Sequence, residues 1–208
     1  QGKSIPVIKT IAPVNLNGRW HLVETFMDIS EREHTERLLQ HRLGMESLIS
    51  SISSRFLNAT HAEVDAEIVS ALEKIALFVG VEHCHLGVMS DDKSTINIAY
   101  KWTHATLVDP PNPSLRIADH LWSFAQLNRF ESIHIPRIDD LPPEAEAEKR
   151  LLKGLNAKSM LITPIAIKQS LFGFLGLVAE GQERSWDNDD IRLLNLAGEI
   201  IANVLRRK

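Results

Sequence analysis

The sequence predicts an α+β fold: a mainly antiparallel central sheet with helices on both faces, preceded by a β-hairpin and one long helix. Three observations carry this expectation. Stretches with period-two alternation come in adjacent pairs, as the strands of hairpins do. Stretches with three-four apolar spacing fall between the second and third strands of the later series and at both of its ends. Apolar residues make up 44% of the 208 residues, enough for one ordinary core plus an appendage.

The elements follow in order. Ile5 to Val14 and Arg19 to Asp28 alternate as two strands, and Asn15-Leu16-Asn17-Gly18 between them supplies residues that tolerate positive φ. Two strands alone are marginal in water, so this hairpin belongs to a larger sheet or leans on something else. Ser30 to Leu57 is helical, opened by a capping box in which Ser30 accepts from the Glu33 N–H and the Glu33 carboxylate reaches back to Ser30. Leu38, Met45, Ile49, Ile52 and Phe56 fall on a four-three seam broken by Arg42. So narrow a seam over roughly 40 Å of helix suits a partner helix better than a small core.

Thr60 and Glu63 form a second capping box ahead of a helix carrying Val64, Ile68, Leu72, Ile75 and Val79, which stops at Gly80. Val81 to Met89 and Thr95 to Trp102 are strands around the turn Ser90-Asp91-Asp92-Lys93. A proline-rich loop, Asp109 to Pro113, leads to an amphipathic helix from Ile117 to Asn128, a short strand from Ser132 to Ile135, and a helix from Pro143 to Leu155. Two strands follow, Ser159 to Ile167 and Leu171 to Ala179. Asp187 caps the last helix, whose apolar face joins Ile191, Leu194, Gly198, Ile201 and Leu205 to Leu193, Ala197, Ile200 and Val204.

Composition excludes several classes of function. A net charge of −4 gives no broad basic footprint for nucleic acid or anionic lipid. The single cysteine, Cys84, rules out an internal disulfide and suits a reducing, cytoplasmic compartment, although the parent protein can still be membrane-anchored. No apolar run approaches the roughly 18 residues of a membrane span, so direct membrane insertion is not expected. Gln1 stands just ahead of an alternating strand and Lys208 inside a helical pattern, so both ends read as cut.

No nucleophile has a recognisable base arrangement, and there is no phosphate-cradling glycine loop and no His-Glu-x-x-His pair, so no catalytic residues and no enzyme activity are expected. His83 and His85 stand two apart on a strand and share a face, where they chelate a metal only with a third ligand. Local hydrogen bonding is the preferred reading, and no metal site is assigned. Cys84 faces the other way, as a small core residue.

Leu171-Phe172-Gly173-Phe174-Leu175-Gly176-Leu177, with Pro164 ahead of it, resembles the penultimate element of GAF domains, a strand whose glycines let helices lie close. Trp186-Asp187-Asn188-Asp189-Asp190-Ile191 resembles the start of the last GAF helix, and Ile135-Pro136-Arg137-Ile138-Asp139-Asp140-Leu141-Pro142 the GAF pattern of bacterial sensor proteins. The likeness covers about residues 45–207. It implies a GAF-like fold with a small-molecule pocket between the sheet and the helices 117–128 and 143–155, lined by His85, Trp102, His120 and Trp122. The competing expectation is that the two tryptophans plug the core and leave no cavity. The resemblance names no cofactor: the cysteine position departs from bilin-attaching domains, one cysteine cannot build a sulfoxide-reductase site, and the cyclic-nucleotide motif Asn-Lys-x-Phe-Asp-Glu is absent.

Gly18-Arg19-Trp20-His21-Leu22 through Phe26-Met27-Asp28-Ile29-Ser30-Glu31-Arg32 resembles the C-terminal end of a PAS domain with its PAC motif. The resemblance places signal relay on Asp28, with Ser30 and Glu33 opening the helix. The expected organisation is a PAS-derived hairpin over 1–29, a signalling linker helix over 30–58 and a GAF domain over 59–208. It implies a sensory module that binds an unidentified small molecule or relays a PAS signal. A homodimer through helices 30–57 and 187–207 would pass that signal to a downstream effector of histidine kinase or diguanylate cyclase type outside this chain. The alternative is a ligand-free dimerisation module with a self-filled pocket.

Overall fold

The computed structural model describes residues 4–105 and 114–207, so the expected loop Asp109 to Pro113 lies outside the described residues. The chain divides into two compact units between Glu46 and Ser47, inside the long helix rather than at either of its ends.

In the first unit, β1 (Val7–Leu16) and β2 (Arg19–Asp28) pair antiparallel, from Val7 opposite Asp28 to Leu16 opposite Arg19. The turn is tighter than the four residues expected. Asn17 and Gly18 alone make it, at φ 53° and 81°, the left-handed pair of a two-residue hairpin. Asn15 Oδ1 accepts from Gly18 N–H at 2.9 Å and braces it. All of β2 is exposed, including Trp20, Leu22, Phe26 and Met27.

The long helix α1 (Ser30–Asn58) begins one step earlier than a Ser30 cap requires. Ser30 is already helical; its N–H donates to Asp28 Oδ1 at 2.8 Å, and Glu33 N–H goes to the Ile29 carbonyl at 2.9 Å. Asp28 therefore supplies the cap expected of the Ser30–Glu33 pair. The Ser30 hydroxyl and N–H both hold its carboxyl below the usual range. The seam is also divided. Met45, Ile52 and Phe56 are buried in the single chain, whereas Leu38, Leu39 and Leu43 are more than half exposed.

The C-terminal end of α1 belongs to the second unit, where Arg55 Nε pairs with Glu67 Oε2 at 3.2 Å on α2 (Val64–Val79). Ahead of α2, the Glu63 carboxylate takes both the Thr60 N–H and its hydroxyl, so Thr60 donates where a full capping box would have it accept. Gly80 ends α2 at φ 77°, as expected of a left-handed C-terminal glycine.

The sheet of this unit has six strands: β3 (His83–Met89), β4 (Thr95–Thr103), β5 (Ser114–Arg116), β6 (Ile133–Ile135), β7 (Ser159–Ile167) and β8 (Ser170–Ala179). Their spatial order is β5-β4-β3-β8-β7-β6 and every pairing is antiparallel, as the hairpin pattern implied. Lys168 and Gln169 make the β7–β8 turn at φ 49° and 62°, a geometry without its usual Asn or Gly signature. Three-residue β5 was not anticipated.

One face of the sheet is covered by α2 and by α5 (Asn188–Leu205), which bury Ile68, Leu72, Leu86, Leu161, Leu175, Leu177 and Leu194 almost completely. Asp187 Oδ1 accepts from the N–H groups of Asp189 and Asp190, and Asp190 Oδ2 accepts from Asp187 N–H at 3.3 Å, completing the capping box of α5. The other face carries α3 (Leu121–Leu127) and α4 (Glu146–Gly154). Each is shorter than its expected helix because a 3₁₀ turn precedes it, Ile117–Asp119 and Pro143–Ala145 respectively. Among the described residues, no helix is long and apolar enough to cross a membrane.

Candidate ligand-binding cavity

A cavity of about 520 Å³ lies between the sheet and the α3–α4 side of this unit. That is the size of an ordinary small-molecule site. Trp102 and Trp122 border this space rather than fill it. The floor comes from β3, β4, β7 and β8, and the roof from His120, Trp122 and Ser123 at the start of α3 and Glu148 on α4.

His85, Trp102, His120 and Trp122 all border this space. Their roles differ. On β3, residues 83, 85 and 87 face the cavity while Cys84 and Leu86 face α2 and α5 and are fully buried. Across from β3, Leu86 pairs with Tyr100 but Gly87 pairs with Ile98, so Ala99 is an extra residue in β4. That bulge reverses the phase of the strand beyond it. Ile98 faces the cavity, but past the bulge the cavity-facing positions become Lys101 and Thr103. Trp102 pairs opposite Cys84 and stands edge-on to His104, 6.0 Å between ring centres, so it touches the cavity only at its rim. Tyr100 falls on the helix face, where its hydroxyl donates to Asp65 on α2.

His83 is held at both ring nitrogens, by Thr103 Oγ1 at 3.2 Å and by Glu180 Oε1 in a very short contact. His83 thus shows the local hydrogen bonding expected of the pair, whereas His85 does not. Among the described residues, no cluster of three or more His, Cys, Asp or Glu is arranged to hold a metal ion. His85 packs its ring edge-to-face on Phe174, 5.6 Å between centres, over Gly176. A Cβ at position 176 would stand 2.7 Å from His85 Nε2, so this glycine makes room for the histidine rather than for a helix. The glycine that admits a close approach at the helix layer is Gly198 of α5, against Ile165.

Burial, and to a lesser degree the neighbouring His83, push the pKa of His85 down from 6.5 to about 4. The ring's remaining exposure is to the cavity, so it is uncharged at neutral pH. The unfolded chain takes up a proton near 6.5 and the folded chain does not, so His85 leaves stability intact above that pH and withdraws it as pH falls toward 4. Urea unfolding at pH 4.5 is expected to show roughly 2 kcal/mol less stability than at pH 7 from this residue. In His85→Gln that part of the loss should vanish; an unchanged pH slope would contradict it.

Glu148 carries no sequence signal that would have marked it. It is 6% exposed, and its Oε1 accepts from Ser123 N–H at 3.0 Å and Ser123 Oγ–H at 2.9 Å, capping the first turn of α3 from outside that helix. The cavity's polar groups come from β3, β4, α3 and α4, together with His120 ahead of α3, Asn156 after α4 and Glu180 just past β8. Cys84 lies on the far side of the sheet, fully buried, and burial pushes its thiol up, so it presents no reactive group to the cavity.

A sequence profile described as GAF domain matches residues 64–207. The methanogenesis regulatory histidine kinase FilI of Methanothrix harundinacea is 24% identical over 167 residues, covering 77% of this chain and 18% of that protein. The chain thus spans under a fifth of this curated relative. The phycocyanobilin-bound GAF domain of a cyanobacterial phytochrome superposes with a TM-score of 0.67 at 14% identity, covering 78% of this chain and 94% of that one. The chromophore-binding domain of Stigmatella aurantiaca bacteriophytochrome gives 0.65 at 13% identity, over 96% of this chain and 70% of that one. At such identities the superpositions establish the fold, and the profile match over most of the sequence establishes the lineage. The chain belongs to the GAF domain family.

Proposed function

We propose that this chain is the ligand-sensing segment of a multidomain signalling protein, with the α3–α4 cavity as its input and the helices α1 and α5 as its output. The observation that carries the reading is the cavity itself: about 520 Å³ of space walled mainly by apolar side chains, with polar groups from several elements turned into it. Its roof is built from short helices interrupted by 3₁₀ turns, elements with few internal hydrogen bonds, and these can shift when a ligand fills the space beneath them. The relative FilI is a histidine kinase, which supports an effector of kinase type downstream; a diguanylate cyclase would use the same helical output.

The hairpin β1–β2 is read as the end of a PAS sheet. Its exposed Trp20, Leu22 and Phe26 share the apolar face that a complete sheet would cover. The exposed leucines Leu38, Leu39 and Leu43 of α1 support pairing with a second copy, over a shorter stretch than the full seam because its later positions are buried. Asp28 links the two modules through its bond to Ser30.

A thermal-shift screen of metabolites against the purified chain, followed by native mass spectrometry, tests the input. At least one compound is expected to raise the melting temperature by several degrees and to bind at one per chain. A broad screen without a stabilising compound would sink the sensing role. Light scattering on the same preparation is expected to give twice the chain mass, and a monomer mass would sink the pairing.

A further inference from the structure

Glu148 brings a buried carboxylate to the cavity with one of its two oxygens open to it. Its side chain is nine-tenths buried and lines the space, yet only Oε1 has protein partners; Oε2 has none among the described residues. Oε2 is therefore the carboxylate oxygen left to accept from an occupant of the cavity, where a low-dielectric surround strengthens such a bond. The other polar groups around the cavity do not take this role. Glu180 is taken by His83, Lys101 is already engaged, and His85 adds no competing positive charge at neutral pH.

The walls complete the description of an occupant. Phe174, Ile162, Leu152 and Trp122 give flat and aliphatic surface, and such surface favours a planar apolar body. A buried carboxylate at its end favours an N–H donor, most strongly a cationic one, through a charge-assisted hydrogen bond.

We propose that the cavity selects a flat aromatic ligand bearing an amino or amidinium group, which donates to Glu148 Oε2 while its ring lies against Trp122 and Phe174. The inference rests on the ligand-sensing reading above. Ser123 has a positioning role, because its two bonds to Oε1 fix the carboxylate plane and leave Oε2 as the oxygen presented to the ligand.

The test uses the whole chain and matched probes: tryptamine and benzamidine as the donors, indole propionate and benzoate as carboxylates of similar shape, each titrated by calorimetry. The amines are expected to bind and the acids to bind at least tenfold more weakly. Glu148→Gln keeps an acceptor for Ser123 and replaces the free oxygen by a donor. It should melt within a few degrees of the wild type, lose at least tenfold in amine affinity, and reverse the preference toward the acids. A purely structural role as a helix cap would leave probe selectivity unchanged in this variant, and that result overturns the proposal. Preference of the wild type for the acids, or equal binding of both sets, also overturns it while leaving the sensing role standing. Failure of every probe overturns it too, and only failure of the wider metabolite screen would carry the sensing role with it.

Discussion

Gly173→Ala is expected to be the most damaging single methyl group that can be added to this chain. The residue sits in β8 opposite Val88, beside the point where β3 and β4 slip by one residue. A Cβ there would stand 2.0 Å from the Gly87 carbonyl oxygen and 3.2 Å from the Val88 Cα. Both are backbone atoms, so no rotamer change relieves the clash, and the two central strands of the sheet must part. Overpacking in a core usually costs about 1–3 kcal/mol when side chains absorb it, and a backbone collision lies at or beyond the top of that range. Against a total stability of about 5–15 kcal/mol, a loss of about 3 kcal/mol or more should lower the melting temperature by roughly 6–12 °C or more. Circular dichroism melts read this directly. Gly154→Ala is the control: its added Cβ meets nothing within 4 Å, and its melting point should stay level or rise slightly. A Gly173→Ala protein melting within two degrees of the wild type would refute the argument.

Gly173 also marks where the sequence was legible and where it was not. Hairpin alternation and three-four spacing placed the sheet, its antiparallel sense and both covering helices, because those patterns record burial directly. Thr95 to Trp102 read as one unbroken strand, with Trp102 lining the pocket that the family resemblance implied. The bulge at Ala99 has no composition of its own, so the reversal that puts Lys101 and Thr103 inward is invisible until β3 and β4 are paired. His85 came with the pocket lining that the family resemblance implies. Glu148 did not, since a glutamate among Glu144, Glu146 and Glu148 looks like a solvated helix face. Only the approach of Ser123, 25 residues away, distinguishes it. At the other end of the chain, the cap at the start of α1 was assigned to Ser30 and Glu33. Asp28 takes that role because the helix begins at Ser30 itself, a one-residue difference that sequence spacing does not resolve.

Trp186→Ala should cost about 3–5 kcal/mol, the range for removing a large buried aromatic side chain. The indole is 7% exposed and its Nε1–H donates to the Ile135 carbonyl of β6 at 3.3 Å. Arg184 lies over the ring, 4.7 Å from its centre, and from there donates to the Val79 carbonyl at 2.7 Å at the end of α2 and reaches Asp190 Oδ2 at 3.4 Å in the cap of α5. The ring is thus the support on which one arginine joins the ends of two helices, and the anchor of an edge strand that lines the cavity through Ile133 and Ile135. Truncation leaves a void, an unpaired carbonyl and an arginine without its platform, so the loss exceeds what area alone would give. Trp186→Phe separates these contributions: it keeps the ring and loses the N–H, at a cost of about 1 kcal/mol. The contrast within the domain is Trp122, which is only partly buried and borders the cavity. Trp122→Ala removes a similar side chain but empties space that is already open, so its cost in urea unfolding should be well under half that of Trp186→Ala. Equal losses at the two positions would mean that the cavity wall is as much a part of the folding core as the α5 cap, and that the space beneath Trp122 is not free for a ligand.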